Sequence, residues 1–268
     1  MTARRFLRAF VPLALLGCAS LLGVLPLLAP AVDSLRLRPE LGSLSTAGLY
    51  AVLLAQPALL VLVLTAAGVA LADKVGLRSL IADVGRGELL RFASRGETLG
   101  LAGVTVMAAL LVLVVDAALL RAFPHAFAGL PPASAVPSTA RAGALLYGAV
   151  AEELMLRLGV MTFIVAAGRR LFPAAFVRNP GLVVWPAIAV SALLFGALHV
   201  PALAGVAPLT LPLVARTIAL NAALGLLFGL AYWRYALEYA MFSHALVHVV
   251  FGLVGALTAG LLPALLGS

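Results

Sequence analysis

The chain has 268 residues, 64% of them hydrophobic and 10% charged, with a formal net charge of +8 and a mean hydropathy of +1.16. Soluble domains carry about 25% charged and roughly 45–50% apolar residues, so a water-soluble protein is excluded. The single Cys18 excludes an internal disulfide framework and a cysteine-built metal site. The arginine excess falls at the ends of apolar stretches, not on a basic face with aromatic platforms, which excludes a nucleic-acid partner.

A spanning helix needs about 20 mostly apolar residues. Seven stretches qualify, at about 10–31, 49–72, 99–120, 142–167, 182–200, 211–232 and 236–262. They are continuously apolar rather than alternating, which excludes a transmembrane barrel. The expected fold is an all-α polytopic membrane protein, a bundle of about seven transmembrane helices forming one integral membrane domain. Residues 1–137 supply the N-terminal helices and 138–268 a second helical half that carries the chemistry.

In chain order, Arg4, Arg5 and Arg8 precede the first stretch as they would a signal peptide, with a cleavage-like site around Ala29, Pro30 and Ala31. Residues 15–18 also resemble a lipoprotein box. The apolar run continues well past Cys18, so a retained first helix is expected. Residues 73–98 interleave Leu77, Leu80, Ile81, Val84, Leu89, Leu90 and Phe92 with Arg78, Arg86 and Arg91, and read as a cytoplasmic amphipathic segment lying in the interface, broken by Gly85 and Gly87. Residues 121–141 hold Pro124, Pro131, Pro132 and Pro137 and read as an irregular loop. No internal repeat is evident, which weighs against an inverted-repeat transporter.

Orientation follows from the cations. With the N-terminus cytoplasmic, the inside set is Arg4, Arg5, Arg8, Lys74, Arg78, Arg86, Arg91, Arg95, Arg169, Arg170, Arg178 and Arg234. The outside set is Arg36, Arg38, Arg121, Arg141 and Arg216, and the imbalance orients seven spans N-in and C-out. Arginine in place of lysine, with abundant alanine and leucine, hints at a GC-rich bacterial genome and hence at the inner (plasma) membrane.

Against this apolar background the fourth stretch carries Glu152, Glu153 and Arg157. Each charge at a helix centre costs about 2.5–3.5 kcal/mol on insertion scales, so all three must face the bundle interior and find partners. Glu153 and Arg157 are four apart and share a helix face, which lets them pair. Glu152 is turned about 100° away and is left free to take a proton. The fifth stretch ends in Phe195 and His199, one turn apart, with Gly196 and Ala197 permitting a close helix neighbour. The seventh carries His244 and His248 on one face. Taken singly, these residues read as helix-locking pairs or core histidines. As a set across three spans they read as an intramembrane site for catalysis or transport.

The ordered motifs Glu152-Glu153-x-x-x-Arg157, Phe195-x-x-x-His199 and His244-x-x-x-His248 resemble the CAAX protease and bacteriocin-processing family of intramembrane peptidases, over roughly residues 138–252. The resemblance implies that Glu152 and His199 activate a water that attacks a peptide carbonyl. It implies that His244 and the polar residue four positions on stabilise the oxyanion, with Glu153, Arg157 and Phe195 in support. The family usually has Asn or Asp at that last position, where this chain has His248.

No serine or cysteine nucleophile beside a base is apparent, and there is no His-Glu-x-x-His zinc helix. Glu152, His199 and His244 could supply three ligands to zinc with an open fourth position. A glutamate-activated water without a firmly bound metal is the expectation, and the residues leave both versions open. The partners implied are the bilayer and a peptide or protein substrate entering from it. Two other readings share these residues: a non-catalytic scaffold or bacteriocin-immunity protein of the same fold, and a proton-coupled transporter.

Overall fold

Polar caps, not the limits of the apolar runs, decide where several of these helices begin. The Ser45 hydroxyl accepts from the Gly48 N–H and starts α3 (Thr46–Leu71). Ser94 and Glu97 form a reciprocal capping box that starts α5 (Arg95–Ala122). The computed structural model of the chain describes residues 2–130 and 138–266, and among these every regular element is helical. The prolines expected to form a loop at 131, 132 and 137 lie outside the described residues.

Six helical runs are long and apolar enough to cross a membrane: Ala3–Arg36, Thr46–Val75, Arg95–Ala122, Gly181–Ala204, Leu211–Arg234 and Leu237–Thr258. The protein is a multi-pass membrane protein. The remaining expected stretch, the fourth at 142–167, is helical too, but of a different kind. It runs as α6 (Ser138–Tyr147), two π-helical segments (Gly148–Glu152 and Leu154–Met161) and α7 (Thr162–Leu171). Its three charges and wide turns set it apart from the six, and π turns of this sort concentrate at functional sites.

The first run, α1 (Ala3–Ser20) and α2 (Leu25–Arg36), is interrupted by a 3-10 turn over Leu21–Val24, just before Pro26 removes a backbone donor. The α1 helix packs against α3 and the short α4 (Leu80–Arg86), with Ala9 and Leu13 fully buried. The α3 helix in turn packs against the Leu154–Met161 segment.

On the other side of that segment, α9 (Gly181–Leu198) and α11 (Leu211–Arg234) pack along their lengths. As expected, Gly196 permits the close approach: a side chain there would strike the backbone oxygen of Ile218. The α12 helix (Leu237–Leu266) closes the bundle against α5 and α11, and α8 (Pro173–Arg178) and α10 (Val200–Ala204) flank α9.

The 73–98 segment corrects its sequence reading in part. It was expected to lie in the interface as a broken amphipathic stretch, yet its first half is a folded polar cluster. Asp83 is buried between Arg78 (2.6 Å) and Arg86 (2.7 Å), and Arg86 also reaches Asp73 (3.0 Å). Gly85 does not break α4 but lets it lie against the Arg8 and Ala9 backbone. Gly87, at φ 72°, ends it. Glu238, in the first turn of α12, accepts from the Ser79 hydroxyl (2.7 Å) and from the N–H groups of Leu80 (2.8 Å) and Ile81 (3.0 Å). The apolar surface that the sequence leads one to expect is kept mainly by the second half, where Leu89, Leu90 and Phe92 are exposed, together with Val84 on α4.

Candidate active site

The π-helical stretch sets the geometry. Glu153 and Arg157, one turn apart and fully buried, lie 3.2 Å apart through Oε2 and Nε. The contact is an ion pair by distance rather than an aligned hydrogen bond, since Glu153 Oε2, Arg157 Nε and Arg157 Nη2 have no partner that meets hydrogen-bond geometry. Arg157 is held in other ways. Its Nη1 donates to the Ser191 hydroxyl (3.0 Å), which donates on to the Leu156 carbonyl (2.9 Å). Its guanidinium carbon stands 5.2 Å from the Phe195 ring centre and 5.7 Å from that of Phe228, within cation–π range.

Glu153 has a second partner that the spacing argument did not reveal. Its Oε1 lies 2.9 Å from His244 Nδ1. A carboxylate has no proton to give, so Nδ1 donates and Nε2 is the ring atom left to face the site. That Nε2 is 4.0 Å from Glu152 Oε2. The division expected between a structural Glu153 and a reactive Glu152 therefore needs amending, because Glu153 joins Arg157 to His244 and orients the imidazole. Glu152 itself is partly open, with 17% of its side chain exposed against none of Glu153.

His199 is oriented by a different device. The α9 helix ends at Leu198, just ahead of Pro201, which cannot donate to the Ala197 carbonyl. The His199 N–H turns to the Gly196 carbonyl (3.2 Å) and leaves the Phe195 carbonyl free. The His199 ring fills the vacancy, its Nδ1 lying 2.7 Å from that oxygen. A carbonyl can only accept, so Nδ1 again donates and Nε2 is again the open nitrogen. The Phe195 ring meets both imidazoles edge-on, at 4.8 Å from His199 and 5.4 Å from His244.

His248 joins them. Its ring stacks on His244 at 5.1 Å, and His244 is stacked on its other side by Phe228 at 4.5 Å. The two Nε2 atoms converge on Gly148, where an added Cβ would stand 2.9 Å from that of His248 and 3.0 Å from that of His244. A residue without a side chain thus keeps open the space onto which both imidazoles look.

Gly148, Ser191 and Phe228 were not singled out from sequence for these positions. Each is an ordinary residue of an apolar helix, and only its neighbours give it a role. Among the described residues no three His, Cys, Asp or Glu side chains are grouped to hold a metal ion, so Glu152, His199 and His244 are not drawn into a ready-made zinc set.

The comparisons with known proteins bear out the resemblance read from the motifs. Residues 132–250, a little under half of the chain, match a family model described as Rce1-like, type II CAAX prenyl endopeptidase Rce1-like. No curated protein and no solved structure matches the chain.

Proposed function

With an Rce1-like segment spanning all three motifs, we propose that this chain is an intramembrane endopeptidase that hydrolyses a peptide bond with an activated water. Glu152 and the open Nε2 of His199 are the groups that take the water's proton as its oxygen attacks the scissile carbonyl. The oxyanion that forms is met by donors on His244 and His248. His244, with Nδ1 engaged by Glu153, donates through Nε2 when it carries a second proton, and the Glu153 carboxylate balances that charge. The proton taken from water then passes to the amide nitrogen as the C–N bond breaks, leaving a new carboxyl and a new amine. No step is routed through a metal.

The observation that carries this reading is the convergence of the His244 and His248 Nε2 atoms over Gly148, with the Glu152 carboxylate 4.0 Å from His244. Helix glue alone would satisfy each polar atom with a fixed partner. Here the Nε2 atoms of two imidazoles, His244 and His248, are instead turned to one point beside Gly148. In the same reading the protein lies in a bacterial inner membrane with its N-terminus cytoplasmic, and its substrate enters from the bilayer.

The test is purified protein in an uncharged detergent, incubated with a peptide library. Cleavage by the parent, absent in Glu152→Ala at equal folded concentration, is the expected result. No cleavage of any member by the parent would favour the non-catalytic scaffold instead.

A further inference from the structure

Tyr232, on α11, is fully buried and takes no part in the proposed hydrolysis. Its hydroxyl lies 2.9 Å from Oγ1 of Thr162, which is also fully buried and begins α7. Thr162 Oγ1 in turn lies 3.2 Å from the Arg157 carbonyl oxygen. A carbonyl can only accept, so the one hydroxyl proton on Thr162 goes to Arg157, and Tyr232 donates to Thr162. The Thr162 N–H is directed at the same carbonyl, five residues back, which is the spacing of a π turn. The wide segment therefore ends on an oxygen that takes two donors from one residue, and a phenol from α11 fixes the second of them. One residue earlier, the Leu156 carbonyl takes the Ser191 hydroxyl from α9.

We propose that Tyr232 is a positioning residue for the active site, acting through Thr162 to hold the π turn that sets Arg157 and Glu153 against His244. A π-helix rarely outlasts a single turn, so the run over Leu154–Met161 calls for support from outside itself. That support falls on the backbone of Arg157, whose Nε lies 3.2 Å from Glu153, and Glu153 holds Nδ1 of His244 at 2.9 Å. Releasing the Arg157 carbonyl lets the segment tighten towards an ordinary α-helix, which moves Glu153 relative to His244. An effect on rate rests on the peptidase reading, whereas the chain of contacts to His244 does not. The ordinary alternative is a core tyrosine whose hydroxyl is paired only because a buried polar group needs a partner.

The test uses the whole chain in dodecyl maltoside, with cleavage kinetics and nitrogen NMR of isotope-labelled histidine on the same preparations. The signals lost in His244→Gln identify His244, and in the parent its Nδ1 should carry the proton. Tyr232→Phe and Thr162→Val should each mix the two His244 tautomers. Each should also lower kcat by about 10–10²-fold with KM little changed, the scale of a small misplacement at a reacting centre. Thr162→Ser, which keeps the hydroxyl, should stay within a few-fold of the parent. The double variant should be no better than Thr162→Val alone, since both changes act on one carbonyl.

Recovery of the parental kcat in the double variant overturns the proposal, because removing two partners together is harmless when they only satisfy each other. So does a folded Tyr232→Phe protein with kcat within a few-fold of the parent, or a loss confined to KM. A fall in kcat with the His244 signals unchanged also overturns it, since the effect would not pass through Glu153. Tyr232→Phe removes a single buried oxygen and carries the test alone if Thr162→Val does not fold. A parent that cleaves no peptide sinks the peptidase reading, and the NMR then decides the positioning role by itself. Mixed His244 tautomers in Tyr232→Phe uphold that role, and an unchanged tautomer overturns it.

Discussion

His244 is pinned on three sides: Glu153 takes its Nδ1 proton, and Phe228 and His248 stack on its two faces. The fourth side faces Gly148, which makes that glycine a sharp probe. Gly148→Ala should leave thermal stability within about 1 kcal/mol of the parent, because alanine favours a helix interior by about that amount. It should still lower peptide cleavage by on the order of 10–10²-fold, since the new methyl displaces one or both imidazoles. Melting and cleavage measured on the same preparation check this, and unchanged turnover would mean that the open space is not the reaction site.

At the neighbouring position, His248→Asn should retain most activity, because an amide N–H can replace a ring N–H as donor. His248→Leu should lose about 10²–10³-fold, the usual effect of deleting one oxyanion donor. Cleavage by folded His248→Leu within a few-fold of the parent would show a packing role instead. The carboxylates should separate by a different readout. Glu152→Gln should keep normal abundance and lose activity. Glu153→Gln should lose abundance as well, since it strips Arg157 of its buried counter-charge at a cost of about 3–5 kcal/mol.

Among the helices, α12 does two jobs: it carries His244 and His248, and its first turn holds the start of α4 through Glu238. Three donors meet that one carboxylate, two of them backbone N–H groups at a helix N-terminus, where negative charge is favoured. Glu238→Ala should therefore destabilise the protein by about 1–3 kcal/mol, while Glu238→Gln recovers part of the loss. The measurement is a melt in detergent, paired with limited proteolysis of the 88–94 stretch, which should be nicked faster once α4 is loosened. A melt and a nicking rate both unchanged in Glu238→Ala would show that α4 is held by its packing on α1 alone. The sequence around residue 80 showed the amphipathic pattern of this region, but its docking depended on a glutamate more than 150 residues away.

At the scale of the whole molecule, the run from Ser138 to Leu171 decides the topology. If it crosses the membrane, five crossings separate residue 95 from the C-terminus, and reporter fusions at Arg95 and Ser268 should report opposite sides, the first cytoplasmic. If its charges and π turns keep it from crossing, four remain and the two fusions report the same side. The arrangement of seven spans with the N-terminus in and the C-terminus out fails in that case.

The amino-acid sequence by itself determined the solvent and the class of fold, and it picked out the charged and imidazole residues now proposed as reactive. Sixty-four per cent apolar content admits only the bilayer, long unalternating runs admit only helices, and charges placed in such runs stand out because their burial is costly. The Glu153–Arg157 pair was legible for a further reason: a helix makes residues four apart neighbours.

Tertiary structure decided everything that joins one helix to another. Counting rise from the expected span ends spreads the motif residues over depths of roughly 12–27 Å, because sequence shows neither where caps move a helix end nor where Pro201 and the π turns change its path. The Glu153–His244 contact spans 91 positions, and the space over Gly148 is bounded by side chains from another helix. Such contacts depend on which faces pack together, and hydropathy specifies a face only weakly when nearly every residue on a helix is apolar.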